Sequence, residues 1–274
     1  MGGHILDQPL PFGDLEQIDP FLLIHHWKDT MPGGQNQRDV GVGPHPHRGF
    51  SPVTFIYKGA VHHRDSRGND DIVHEGGIQW MNAGMGITHS ERPSAQLAEE
   101  GGEMEFIQLW INSPASQKLI QPQYQALQKE DIPTIESDSK DASLQVIAGD
   151  FQNTSGPIKA TSELMILNIS MKAGASVEIP VPDDFNAVLY QLDGRVKLCD
   201  QETTHVKNMT WFENDGTTVK LDCERDSRAL FLAGKPINEP LATYGPFVMN
   251  NQTEIMEALR DSKQGKMGIL IEEF

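Results

Sequence analysis

A chain of 274 residues, 38% of them apolar, can build packed cores, and two domains of ordinary size suit its length better than one. Its 39 acidic against 22 basic residues give a formal charge of -17 spread over both halves, which repels phosphate backbones and anionic lipid and argues against direct nucleic-acid or membrane partners. No apolar stretch approaches the roughly 20 residues of a membrane span and no basic, then apolar, leader is visible, so a cytoplasmic protein is expected. Two cysteines, Cys199 and Cys223, supply no disulfide framework, and buried unpaired thiols are expected.

Short β-branched and aromatic runs recur between glycine, proline and Asp/Asn clusters, which predicts many antiparallel strands. In chain order, strands are expected at residues 53–57, 59–63, 106–111, 164–169, 188–192 and 229–232. "FIYKGAV" reads as strand, turn at Lys58 and Gly59, and new strand; "YQLDGRV" repeats the pattern around Asp193 and Gly194 half a chain later. The polar, proline-bearing segment 113–143 reads as a connection or brace between halves. "EPLATYGPFVMN" crowds proline and glycine too closely for a regular element, with Tyr244 and Phe247 expected to brace the first domain. Asn251 with Glu254 resembles a capping box, and Ile255, Ala258 and Leu259 form an apolar stripe, predicting a packing helix over 253–262.

Nine of the ten histidines lie in the first 89 residues. In a strand, residues i and i+2 share a face, so His45 and His47 would project from one wall, with Pro46 outward at an edge or strand start. A second i, i+2 pair, His89 and Glu91, follows Gly84 and Gly86, which can form the turn that returns this strand against the first. Three imidazoles and one carboxylate suit Fe(II), Ni(II), Mn(II), Cu(II) or Zn(II) and leave positions open for chemistry. From the residues alone, two surface strands with incidental histidines remain the competing reading.

"HPHRGF", "HRDSRGN", "GGIQWMNAGMGITHSE" and "EPLATYGPFVMN" resemble signatures of the pirin family, a branch of the cupin superfamily, along nearly the whole chain. The resemblance implies an all-β bicupin: two antiparallel β-barrel domains packed face to face, with a short C-terminal helix. The expected division is a metal-binding domain over 1–135 and a second cupin domain over 136–274, which lacks the ligand set and carries the helix. His45, His47, His89 and Glu91 match the family's metal ligands, usually of iron, so Fe(II) is the expected ion. Where many relatives continue with glutamate after "HPHRGF", this chain has Ser51, which leaves the ligand set intact.

Of His62 and His63, adjacent in one strand, one can face the cavity; His25, His26 and His74 read as non-ligands, and His4 as part of the end segment. Phe50, Trp80 and Met81 are candidates either to line an aromatic slot or to fill core. Arg48, on the opposite strand face from His47, is expected to pair with a carboxylate. By resemblance, the leading expectation is a quercetin 2,3-dioxygenase-like enzyme: a flavonol and O2 react, the central ring opens and carbon monoxide leaves, with Glu91 as ligand and candidate base. The alternatives are an iron-dependent redox-sensing regulator with a protein partner, and an oxygen-independent isomerase. A monomer is expected.

Overall fold

Alternation of apolar with polar residues between glycine and proline turns produces strands along most of residues 6–274, which the computed structural model describes. The chain divides into two units: one holds the residues up to Gln17, Phe21–Glu130 and Ile237–Phe274, the other Ile18–Pro20 and Asp131–Pro236. The final helix therefore belongs with the first unit. No helix among the described residues is long and apolar enough to cross a membrane.

The first unit begins with β1 (Asp7–Leu10), β2 (Phe21–Met31), β3 (Val42–His47), β4 (Phe50–Lys58), β5 (Ala60–Asp65), β6 (Asp70–His74), β7 (Ile78–Asn82) and β8 (Ile87–Pro93). The short helix α1 (Ala95–Glu100), β9 (Gly102–Asn112) and β10 (Gln123–Leu127) follow. These strands form a six-stranded sheet, β1-β2-β9-β4-β7-β10, and a four-stranded sheet, β3-β8-β5-β6. Trp27, Ile56 and Met104 from the first sheet meet Val61 and Val73 from the second in one buried cluster, so an apolar layer joins the sheets at one end.

The second unit contains β11 (Thr134–Glu136), β12 (Ala142–Ala148), the small hairpin β13 (Asp150–Phe151) and β14 (Thr154–Ser155), then β15 (Leu164–Met171) and β16 (Ser176–Pro180). β17 (Asn186–Leu198), β18 (Glu202–Thr204), β19 (Met209–Phe212) and β20 (Thr218–Gly234) complete it. Its main sheet runs β11-β12-β15-β20-β17-β18, with β16 added to β20 and β19 to β17. Val146, Leu167, Ile179, Leu189, Leu221 and Phe231 pack into its apolar interior.

The expected closed barrels are not formed: every sheet remains open, because the terminal strands of each order exchange no ladder bonds with one another. Edge chemistry gives the reason in the first unit. β3 carries Pro44 and Pro46 and β1 carries Pro9, and each proline removes the N–H that a closing partner would need. The edge position inferred for Pro46 is thus present, since β3 pairs with β8 alone.

Two further expectations need correction. Segment 113–143 is more than a connector: β10 within it adds to the first unit's large sheet by pairing with β7. Asp193 and Gly194 do not link two strands but sit inside β17, where the register shifts. Gly194 has φ +80°, and a Cβ there would lie 2.0 Å from the Asp226 carbonyl oxygen, so the bulge admits only glycine. The Lys58–Gly59 turn does separate β4 from β5.

After Ile237 the chain forms two three-residue strands, β21 (Ala242–Tyr244) and β22 (Phe247–Met249), where an irregular path was expected. Then comes α2 (Gln252–Lys263), close to its predicted limits. Asn251 caps it by accepting from the Glu254 N–H at 3.0 Å, and Ile255 and Ala258 are buried. Phe247 is buried with them, while Tyr244 is exposed. Cys199 and Cys223 are both unpaired.

Candidate metal centre

Gly84 and Gly86 turn the chain between β7 and β8 at positive φ, and β8 then runs antiparallel to β3 with His89 directly opposite His45. His47 lies two residues along the same face. The rings converge, with centroids 4.8 Å apart for His45 and His47, 4.4 Å for His45 and His89, and 5.0 Å for His47 and His89. Their candidate ligand nitrogens lie within 4.8 Å of one another. Two nitrogens on one ion sit at most about 4 Å apart, so small ring adjustments suffice for shared coordination.

Hydrogen bonding selects which nitrogens are free. His45 Nδ1 donates to the Gly43 carbonyl at 2.8 Å and His47 Nδ1 donates to the Pro246 carbonyl at 3.4 Å, which leaves each Nε2 with its lone pair. His89 Nε2 is buried and has no hydrogen-bond partner, an arrangement a metal bond would satisfy. Burial holds His47 and His89 well below the ordinary imidazole range, and the neighbouring histidines push in the same direction, so both rings are neutral donors. The buried tri-histidine group fits a divalent metal.

Glu91 projects from the same face of β8 two residues beyond His89, but its carboxylate lies outside the tri-histidine group. Oε1 accepts hydrogen bonds from Thr54 Oγ1 at 2.8 Å and from the Gln79 amide, and Oε2 accepts from Gln108 Nε2 at 2.8 Å. The structure therefore brings three of the four expected residues together and sets the fourth in an amide cradle beside them.

His63 is the member of its pair that turns inward. Fully buried, it reaches His89 Nδ1 at 3.4 Å and Asp65 at 3.2 Å, with the Tyr124 ring stacked on it at 3.9 Å. His62 bonds instead to Asp70 and Gln37. Burial alone would raise the Asp65 carboxyl, yet hydrogen bonds from His63, Asn69 and the Arg67 backbone hold it below its usual value. The Tyr124 phenol is pushed upward by burial and by nearby Asp71, Glu91 and Asp65, so it stays protonated. Arg48 pairs with Asp261 of α2 at 3.1 Å. His4 lies outside the described residues.

One side of the cluster is aromatic. Phe50 and Trp110 approach the His47 ring edge-on at 5.1 and 5.5 Å. Met81 packs near Tyr124, whereas Trp80, one residue out of phase, occupies the other face of the sheet. Sequence reasoning missed Thr54, Gln79, Gln108, Trp110, Tyr124 and Asp65. The available signal was polar residues at alternate positions of otherwise apolar strands, which strand periodicity places on one interior face.

Residues 4–111 match the pirin family and residues 166–268 match the pirin C-terminal cupin domain. Curated relatives agree along the chain: a pirin-like protein of Caulobacter vibrioides is 36% identical over 96% of this chain and 93% of its own length. The chain belongs to the pirin family. A pirin-like protein of Solanum lycopersicum is 34% identical over 97% of this chain and 88% of its own. Among solved structures, a quercetin 2,3-dioxygenase from Acinetobacter baumannii superposes with a TM-score of 0.88 at 38% identity, covering 92% of this pirin and 87% of that chain. This pirin is thus homologous to quercetin 2,3-dioxygenases and carries a three-histidine cluster suited to such an enzyme.

Proposed function

We propose that this pirin is a metal-dependent dioxygenase that opens the central ring of quercetin-like flavonols with O2 and releases carbon monoxide. The observation that carries the reading is the convergence of His45, His47 and His89 with the partnerless, buried His89 Nε2, in a chain closely similar to a quercetin 2,3-dioxygenase. Fe(II) is the proposed native ion; the donor set also accepts Ni(II), Mn(II), Cu(II) or Zn(II). A divalent metal bound there would supply Lewis acidity toward the flavonol 3-hydroxyl oxygen.

The chain's own groups divide the remaining work. The His47 and His89 imidazoles, held neutral by burial, offer lone pairs without first losing protons, and the edges of Phe50 and Trp110 flank the histidines with an apolar wall suited to a flat aromatic ring. Glu91 is proposed both as a fourth ligand and as the base that takes the flavonol proton on a carboxylate oxygen. Thr54, Gln79 and Gln108 hold that carboxylate beside His89 while it is away from the ion.

The test is to strip the protein of metal, reload it with Fe(II), Ni(II), Mn(II) or Cu(II), and follow oxygen uptake, flavonol bleaching and carbon monoxide together. The proposal expects all three in step with at least one metal, and absence of turnover with every metal removes it. Glu91→Gln should lower turnover by about 10²- to 10⁴-fold, the range expected for loss of a general base. Unchanged turnover would remove the base role.

A further inference from the structure

The motif "HRDSRGN" at the end of β5 is unexplained by the ligand set, yet it places two buried ionisable groups against it. Register across the β5–β8 pair sets Asp65 opposite His89 and His63 opposite Glu91. Asp65 is fully engaged: Oδ1 accepts the backbone N–H of Arg67 at 2.8 Å and of Asn69 at 3.1 Å, and Oδ2 accepts the Asn69 amide at 2.7 Å. His63 Nε2 faces that same Oδ2 at 3.2 Å.

With the His63 ring neutral, as a relay through it requires, donor and acceptor roles leave one arrangement. A carboxylate that already accepts three hydrogen bonds has no proton to give, so His63 Nε2 carries the hydrogen. In a neutral ring the other nitrogen is then an acceptor, and His63 Nδ1 meets His89 Nδ1 at 3.4 Å. His89 Nδ1 must be the donor, which strips Nε2, the atom without a partner, of hydrogen. The stacked Tyr124 ring keeps His63 from rotating out of line. His45 and His47 differ, because each has its tautomer set by a backbone carbonyl that can only accept.

We propose that Asp65 and His63 form a positioning relay that fixes the tautomer and orientation of His89, presenting its bare Nε2 toward the metal position. The relay rests on the metal-centre reading and is a role for residues that bind no metal themselves. It also makes His89 the one arm that a distant isosteric change can switch off. In Asp65→Asn the side-chain oxygen stays with the two backbone N–H groups, and the amide nitrogen faces His63 Nε2 and the Asn69 side chain, whose amide turns to offer its oxygen. His63 then carries its hydrogen on Nδ1, His89 Nδ1 becomes the acceptor, and hydrogen moves to His89 Nε2.

The test uses the metal-free full chain. Long-range ¹H–¹⁵N spectra of histidine-labelled wild-type protein should show His89 protonated on Nδ1, and calorimetric titration with Ni(II) should give binding about 10- to 100-fold weaker for Asp65→Asn, the usual cost of removing such a support. His89 protonated on Nε2 in the wild type, or equal Ni(II) affinity in folded Asp65→Asn, overturns the relay. If the wild type takes up no metal, the metal-centre reading fails, and the His89 tautomer still decides the relay by itself. The wild-type spectrum needs no variant, so misfolding of Asp65→Asn cannot hide the answer.

Discussion

The two units fill their interiors with opposite chemistry. In the second, strands β12, β15, β17 and β20 turn aliphatic and aromatic side chains inward, and its sole histidine, His205, is exposed. In the first, an apolar layer around Trp27, Ile56 and Val61 gives way to Thr54, Gln79, Gln108 and Glu91, then to His63 and the three converging histidines. Similar strand-rich scaffolds thus separate two tasks: one is a hydrophobic body, and the other gives up core apolarity to hold a polar cluster whose buried groups demand partners.

The sharpest way to break this contrast is to remove an arm of the cluster. His89→Ala should abolish stoichiometric metal binding and flavonol-dependent oxygen uptake while the second unit stays folded, checked by metal analysis and oxygen electrode. Retained metal and turnover would place the centre elsewhere. Phe231→Ala, in the fully buried interior of the second unit, should cost about 3–5 kcal/mol of stability by leaving a cavity, yet leave metal affinity of the folded protein unchanged. Denaturant midpoints and Ni(II) titration separate the two effects.

A smaller effect concerns pH. His47 and His89 are held below the ordinary imidazole value in the fold, so below about pH 6.5 the unfolded chain binds protons that the folded chain refuses. Stability of the metal-free protein should therefore be whole above that pH and fall as pH drops through it, by about 1.4 kcal/mol per unit for each ring. Melting curves from pH 7.5 to 5.5 should show a shallower slope for the His47→Gln, His89→Gln double variant than for the wild type. Smallest of all, Asn251→Ala should remove the α2 cap for about 1 kcal/mol, with no change at the metal centre.

What could be read in advance followed from periodicity. The i, i+2 spacing of His45 with His47 and the glycine turn before His89 pointed those rings to one face, the family resemblance decided against incidental surface histidines, and the capping residues located α2. Closure of the sheets was misjudged because resemblance to barrel proteins says nothing of which edge N–H groups a proline has removed, as at Pro44 and Pro46. The amide cradle of Glu91 and the contact of His63 with His89 depend on which strands neighbour one another. The neighbours of β4, β7 and β9 are set by long-range pairing that a local pattern does not encode.

X-ray absorption at the metal edge, combined with elemental analysis of protein purified without added ions, addresses the tri-histidine centre most directly. One divalent transition metal per chain, with outer-shell scattering from three imidazoles that disappears in His45→Ala, is the predicted result. Metal-free protein that also refuses Fe(II) and Ni(II), or a bound ion whose spectrum contains no imidazole, would contradict it.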